Sequence, residues 1–299
     1  MSDLKSALLP NRGVIAVSGP DAKKLLQGVV TADMELPGPT PVALHSGLLS
    51  PQGKILFDFF IVPHGGGYLI ETGKAHIPDL VKRLSMYKLR ASAEIRDVSA
   101  DYTVAAVWGA NSAAIAGRVG CIAFIDPRLP DMGGRLLMTL ANDAVLKDID
   151  ADAAGQPAYD AHRISLGVPE AGKDFVLGDT FPHEALYDQL AGVSFTKGCF
   201  VGQEVVSRMQ HRGTARKRVV RVVADSPLPE TGTQVRAGSS LIGTLGTVEG
   251  TEALAMLRID RAAEAIAKGE TLHAGDAAIE IKIPSWATFS MTSTGEDHA

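Results

Sequence analysis

The chain has 299 residues but only two cysteines, Cys121 and Cys199, and neither sits in a CxxC pair. Two thiols cannot build a disulfide framework. A self-contained zinc finger or cysteine-ligated iron–sulfur cluster needs about four ligands, mostly sulfur, so both are excluded. The eight histidines form no H-x-x-x-H pair and no HExxH, so no metal is expected to be bound by this chain alone. Long apolar runs are missing too. The nearest candidate, residues 102–125, is mostly small residues broken by Asn111, Arg118 and three glycines, and no membrane partner is expected. The first twelve residues, MSDLKSALLPNR, have no apolar signal core and are not an Arg-rich presequence. With scarce thiols suited to a reducing compartment, a cytoplasmic location is the default expectation.

Positive charge is also in deficit, with 29 Lys and Arg against 34 Asp and Glu, so bulk charge does not favour a polyanion. One stretch differs. Residues 205–224 contain no acid but carry Arg208, His211, Arg212, Arg216, Lys217, Arg218 and Arg221. Such a patch can steer an anionic ligand or RNA, or simply be a solvated helix end and strand face. No aromatics interleave with it, so direct nucleic-acid binding through a single-strand groove is not expected.

What is present is an ordinary globular composition, 45% hydrophobic and 21% charged, at a length that suggests about two domains. The pattern predicts strands at 13–18, 42–49, 55–62, 68–70 and 93–98. Helices follow Gly19-Pro20-Asp21 and span about 77–87, where Ile77, Leu80, Val81 and Leu84 share one face. A similar order recurs with strands at 103–108, 121–125 and 135–140, and with helices capped by Asn111 and Asn142. Beyond residue 216 short β-rich runs alternate with turns, around one helix near 260–267, as in a small β-barrel. The expected domains are therefore 1–98, a first α+β unit; 99–215, a second α+β unit with a bridge; and 216–299, the barrel.

The bridge carries Ser194-Phe195-Thr196-Lys197-Gly198-Cys199-Phe200-Val201-Gly202-Gln203-Glu204. Two glycines four apart flank a cysteine and an aromatic, which allows close backbone approach to a ligand. Lys197 lies two residues before Cys199, and a nearby ammonium favours a thiolate. Gly202-Gln203-Glu204 leads into a helix whose free N–H groups suit an acceptor. A buried cysteine in a tight turn with a solvated lysine is the plainer alternative.

KGCFVGQE resembles the signature of the YgfZ family of folate-binding proteins, relatives of the glycine-cleavage T-protein and of a mitochondrial iron–sulfur assembly factor. Residues 14–33 (VIAVSGPDAKKLLQGVVTAD), 47–58 (GLLSPQGKILFD), 163–169 (RISLGVP) and 182–195 resemble further blocks of that family, in the same order. The resemblance implies a T-protein-like α+β fold. In it, two ferredoxin-like-type units surround a central channel and a C-terminal β-barrel follows. It implies tetrahydrofolate, or a folate derivative, as cofactor. Lys197, Gly198, Gly202, Gln203 and Glu204 would line or shape the site, with Gln27, Thr31, Asp33, Asp58 and Arg163 matching other blocks. Cys199 would be the functional thiol, either a ligand of a cluster shared with a partner or a redox-sensitive group.

The chain departs from the T-protein at two carboxylates. The G-x-x-x-D-D run reads Gly53-Lys54-Ile55-Leu56-Phe57-Asp58 here, so Phe57 replaces one acid. The glutamate of R-L-E-A-G-M-P becomes Ser165, which cannot match two pterin N–H donors as a carboxylate does. The expected function is thus a non-enzymatic folate-binding factor that supports assembly or repair of iron–sulfur proteins, including radical enzymes that modify tRNA. Iron–sulfur proteins or their assembly factors would be its partners. The alternative is a folate-dependent one-carbon transferase or demethylase.

Overall fold

The computed structural model describes residues 4–35, 43–110, 112, 121–139, 145–212 and 215–291. The caps expected at Asn111 and Asn142 lie outside these residues. Two compact units are present. The first takes in residues 1–159 and 190–205, the second 160–189 and 206–299.

The first unit holds two five-stranded sheets. Its elements are β1 (Leu4–Leu8), β2 (Arg12–Ser18), α1 (Ala22–Val29), β3 (Leu44–Leu49), β4 (Ile55–His64), β5 (Gly67–Gly73), α2 (Ile77–Lys88), β6 (Glu94–Asp97), β7 (Tyr102–Gly109), β8 (Cys121–Ile125), β9 (Gly134–Thr139), α3 (Val145–Asp148) and β10 (Asp152–Ala153). One sheet has the order β3-β4-β5-β2-β6 and the other β10-β1-β7-β9-β8. All pairings are antiparallel except β1 with β10. β6 ends the first sheet at Asp97 and β7 begins at Tyr102, while β1, at residues 4–8, pairs into the second sheet.

Local pattern explains the helices. Ala22, Leu25, Leu26 and Val29 form the buried face of α1, and Ile77, Leu80 and Leu84 that of α2. Pro78 opens α2 at a position with no N–H to lose, and Asp79 faces the positive helix end. Both faces close on Ile15, Phe57, Phe59, Ile61 and Ile70 of the first sheet. Burial on both faces is why β4 reads as a nearly continuous apolar run.

The chain leaves the first unit within α4 (Gly155–Ser165) and again within α5 (Gln203–Arg212). The second unit contains a closed barrel of β11 (Lys217–Val223), β12 (Gln234–Ala237), β13 (Ser240–Glu249), β14 (Glu252–Arg258), β15 (Leu272–Ala274) and β16 (Ala277–Lys282), with α6 (Ile259–Ala267) after β14. The barrel order is β11-β14-β13-β12-β15-β16, and β16 returns to β11.

A buried ion cluster fixes the barrel to its flanking segment. Arg163 is fully buried. Its Nε donates to Asp160 Oδ1 at 2.6 Å, its Nη1 to Asp174 Oδ2, and its Nη2 to Thr247 Oγ1. Asp174 Oδ1 in turn accepts from Thr247 N at 2.7 Å, where the β13–β14 register shifts between Leu245 and Val248. A Cβ at Gly246 would sit 2.5 Å from Asp174 Oδ1, so glycine is what admits the carboxylate to this bulge. Burial opposes the Arg163 charge, but Asp174, Glu170 and Asp160 raise its pKa above the usual value. Removing one member leaves buried partners uncompensated, a cost of about 3–5 kcal/mol. Arg163→Met should lower the unfolding free energy in urea by about that amount, and a loss below ~1 kcal/mol would show that the cluster does not hold the unit.

Candidate functional site

The signature loop is anchored by the three residues that leave α1. Thr31 is fully buried. Its Oγ1 donates to Gly192 O at 2.6 Å and accepts from Gly47 N at 2.7 Å, while its own N–H reaches Gly47 O and its carbonyl accepts from Ser194 N. Ser46 Oγ accepts from Ala32 N at 3.0 Å. The carbonyls on either side, Val30 O and Ala32 O, both accept from Lys197 Nζ at 2.7 Å. Lys197 is 6% exposed, and its ammonium lies 5.2 Å from the centre of the Phe200 ring. The lysine therefore braces the loop against the α1 exit, and its hydrogen bonds run to backbone carbonyls. Burial pushes its pKa down to about 8, with Asp33 pulling the other way.

Gln27 and Asp33 brace each other across the same exit. Gln27 Nε2 donates to Asp33 Oδ1 at 2.9 Å, and Gln27 Oε1 accepts from Met34 N. The Glu35 N–H, then Gln27 and Lys197, hold the Asp33 carboxyl below its usual range against burial.

The two signature glycines have different causes. Gly202 has φ +82°, and a Cβ there would stand 2.6 Å from Ser50 O and 3.2 Å from Gly53 Cα. Gly53, at φ +79°, would likewise meet Val205 Cβ at 2.8 Å. The pair lets the loop lie directly on the β3–β4 turn. A Cβ at Gly198, by contrast, would meet nothing within 4 Å. Cys199 is exposed, as are Gly198 and Glu204, while Phe200 is buried and Phe195 is 41% exposed. The thiol thus stands at the surface of a loop pinned from beneath, with no side chain on its N-terminal neighbour. Gln203 begins α5, its N–H bonded to Phe200 O.

Asp58 lies on β4 and its Oδ2 sits 3.0 Å from His45 Nε2, whose other ring nitrogen is 2.8 Å from Leu190 O. Its neighbour Phe57 packs in the apolar core, which explains why no carboxylate stands there. Ser165 is exposed, and its Oγ donates to His162 O within the last turn of α4. Arg163 is engaged in the ion cluster of the second unit.

The sequence reading missed a second polar group of the first unit. Arg128 Nε and Nη2 grip Asp126 at 3.0 and 2.7 Å, and Arg135 Nη2 donates to Tyr159 Oη at 2.7 Å. Both guanidiniums lie over the Phe60 ring, at 5.0 and 5.4 Å. Burial would raise Asp126, but Arg128 and then Arg135 more than reverse it. Arg135 Nε and Nη1 are buried without a hydrogen-bond acceptor, and the ring faces of Phe60 and Tyr159 flank the group. The available signal was arginine inside otherwise apolar β9.

The basic stretch is partly neutralised. Arg218 is 7% exposed, bidentate to Asp188 at 2.9 Å and packed on Phe289. Arg221 pairs with Glu252. The Arg212 side chain lies outside what is described. Among the described residues no His, Cys, Asp and Glu group is placed to hold a metal, and no helix is long and apolar enough to cross a membrane.

Comparison with known proteins bears on both units. Residues 216–289 match the family described as CAF17, C-terminal beta-barrel domain. The chain is 36% identical over 248 residues to the iron–sulfur cluster assembly factor IBA57 homolog, mitochondrial, of Mycosarcoma maydis, covering 76% of this chain and 60% of that protein. It is 31% identical to the human iron–sulfur cluster assembly factor IBA57, mitochondrial, covering 83% and 76%. The chain thus spans only somewhat over half of several fungal relatives it matches. The crystal structure of the glycine cleavage system aminomethyltransferase T from Bartonella henselae superposes with a TM-score of 0.75 at 14% identity, covering 96% of this chain and 87% of that one, which establishes the fold. The cytoplasmic expectation, drawn from scarce thiols and from the first residues, is corrected: these relatives are named as mitochondrial.

Two measurements test the site. Thiol titration of the native protein should show one fast-reacting group, Cys199, ahead of the half-buried Cys121, and Cys199→Ser should abolish the fast phase. Lys197 has a folded pKa of about 8 against an ordinary 10.5, so between those values the unfolded chain binds more protons. Native stability relative to Lys197→Met should therefore rise with pH through that window, by at most about 3 kcal/mol, and be level below it. A fall with pH would contradict the burial of the amine.

Proposed function

This chain belongs to the family of the iron–sulfur cluster assembly factor IBA57, and from that premise we propose that it supports the assembly or repair of iron–sulfur proteins as a folate-binding accessory factor. The observation that carries the reading is the exposed Cys199 beside an unobstructed Gly198, on a loop fixed by the Lys197 clamp. One thiol cannot hold a four-ligand cluster, but it can complete a cluster whose other ligands come from a partner. A rigid, outward-facing sulfur suits that task better than a buried one.

The donor set suits a reduced folate. Asp58 offers a carboxylate, oriented by His45, to the N–H groups of a pterin edge. Phe195, 41% exposed, adds an aromatic ring on the signature loop. Gln203 and Glu204, at the start of α5, offer further polar contacts. When bound, a reduced folate supplies a one-carbon carrier and a readily oxidised pterin. Aminomethyl transfer is disfavoured, because Phe57 is core and Ser165 is turned into its own helix. The proposed clients include radical enzymes that modify tRNA, in keeping with the resemblance to the YgfZ family.

Calorimetry with tetrahydrofolate tests the cofactor. Binding is expected, weakened about tenfold in Asp58→Asn by loss of a charged acceptor. Silence at millimolar ligand would remove folate from the proposal. Deleting the gene should lower the activity of a four-iron–four-sulfur enzyme in the host, and Cys199→Ser should fail to restore it. Full rescue by that variant would discard every thiol role, and intact enzyme activity with loss of a one-carbon growth phenotype would favour the transferase.

A further inference from the structure

A groove of about 470 Å³ runs along α1 and the end of α2 in the first unit. Its floor is Leu25, Val29 and Tyr87, and its charged rim is Lys24, Lys88 and Arg90. These three cations make no ion pair among the described residues. The acid at the rim, Asp21, accepts from Ser92 N at 2.7 Å and so is tied to the loop. The groove is positive in a chain of net charge −5.

Two further features have no structural cause. Gly28 sits within α1 on the groove wall, where glycine costs helix stability. A Cβ there would meet nothing within 4 Å, so no close packing demands the glycine. Its effect is to keep the groove open. Leu89, just past α2, has φ +47° and ψ −107°, a strained conformation for a leucine, and is 87% exposed. Met86, three residues earlier, is 60% exposed. Leu89 lines the groove, which puts an exposed apolar side chain beside the three cations. A peptide in the groove can cover Leu89 and meet the cations with its carboxylates.

We propose that this groove docks an acidic peptide segment of a partner protein, with apolar side chains on Leu25, Val29 and Tyr87 and flanking carboxylates on Lys24, Lys88 and Arg90. The apolar floor gives the anchor and the unpaired cations set the sign of the partner. The surface stands apart from the thiol loop in sequence and needs neither folate nor Cys199.

The test uses the full chain and two fluorescent hexapeptides with a central Leu-Phe pair, one flanked by glutamates and one by lysines. The glutamate peptide should bind and the lysine peptide should not, with binding weakened by salt. Gly28→Leu should abolish binding while melting no lower than the parent, since leucine is the better helix former. Lys24→Glu with Arg90→Glu should weaken binding about tenfold or more and invert the preference. Absence of binding by the acidic peptide, equal binding of both peptides, or indifference to Gly28→Leu would each overturn the proposal. So would displacement of the peptide by millimolar benzoate or by inorganic phosphate, which would make the groove a small-anion site.

Discussion

The signature loop depends on the carbonyls of Val30 and Ala32 finding donors. They flank Thr31 in a segment that has left the helix and is buried before it reaches another element. Buried carbonyls without donors cost about 1–3 kcal/mol each. Lys197 supplies both with one amine, and Thr31 and Ser46 satisfy the groups between. Sheet edge, helix exit and signature loop are therefore one hydrogen-bonded body. The exposed thiol inherits its position from a lysine that faces away from solvent.

Much of this was legible beforehand, because it follows from periodicity. The strands of the first sheet, helices α1 and α2 and four of the barrel strands show alternation or a 3.6-residue stripe in their own residues. What escaped the sequence has little pattern to show. β10 has two residues, β12 four and β15 three, too few for a period. α4 begins at Gly155 with a proline in its first turn and is not among the expected helices.

The site divides similarly. The motif residues were found, but their roles depend on where long side chains turn. Lys197 reads as a partner for Cys199 by spacing, yet its tail reaches back to α1. Arg163 reads as a ligand contact, yet it holds an ion cluster. Gly202 and Gly198 look equivalent in the motif; only the three-dimensional neighbourhood shows that the first is packed and the second open. Arg128 and Arg135 gave no motif signal, since the ring that unites them, Phe60, comes from another sheet.

The first unit is completed by a segment that the ribosome delivers late. The lysine that satisfies Val30 lies 167 residues downstream. At bacterial or eukaryotic synthesis rates of about 5–20 residues per second, those carbonyls wait roughly 10–30 s for their donor. Once β6 is complete at Asp97 the first sheet has its core residues but waits a further 100 residues for its clasp, and the thiol arrives only with the clasp itself. The order of synthesis thus withholds the reactive sulfur until the surface that positions it is ready.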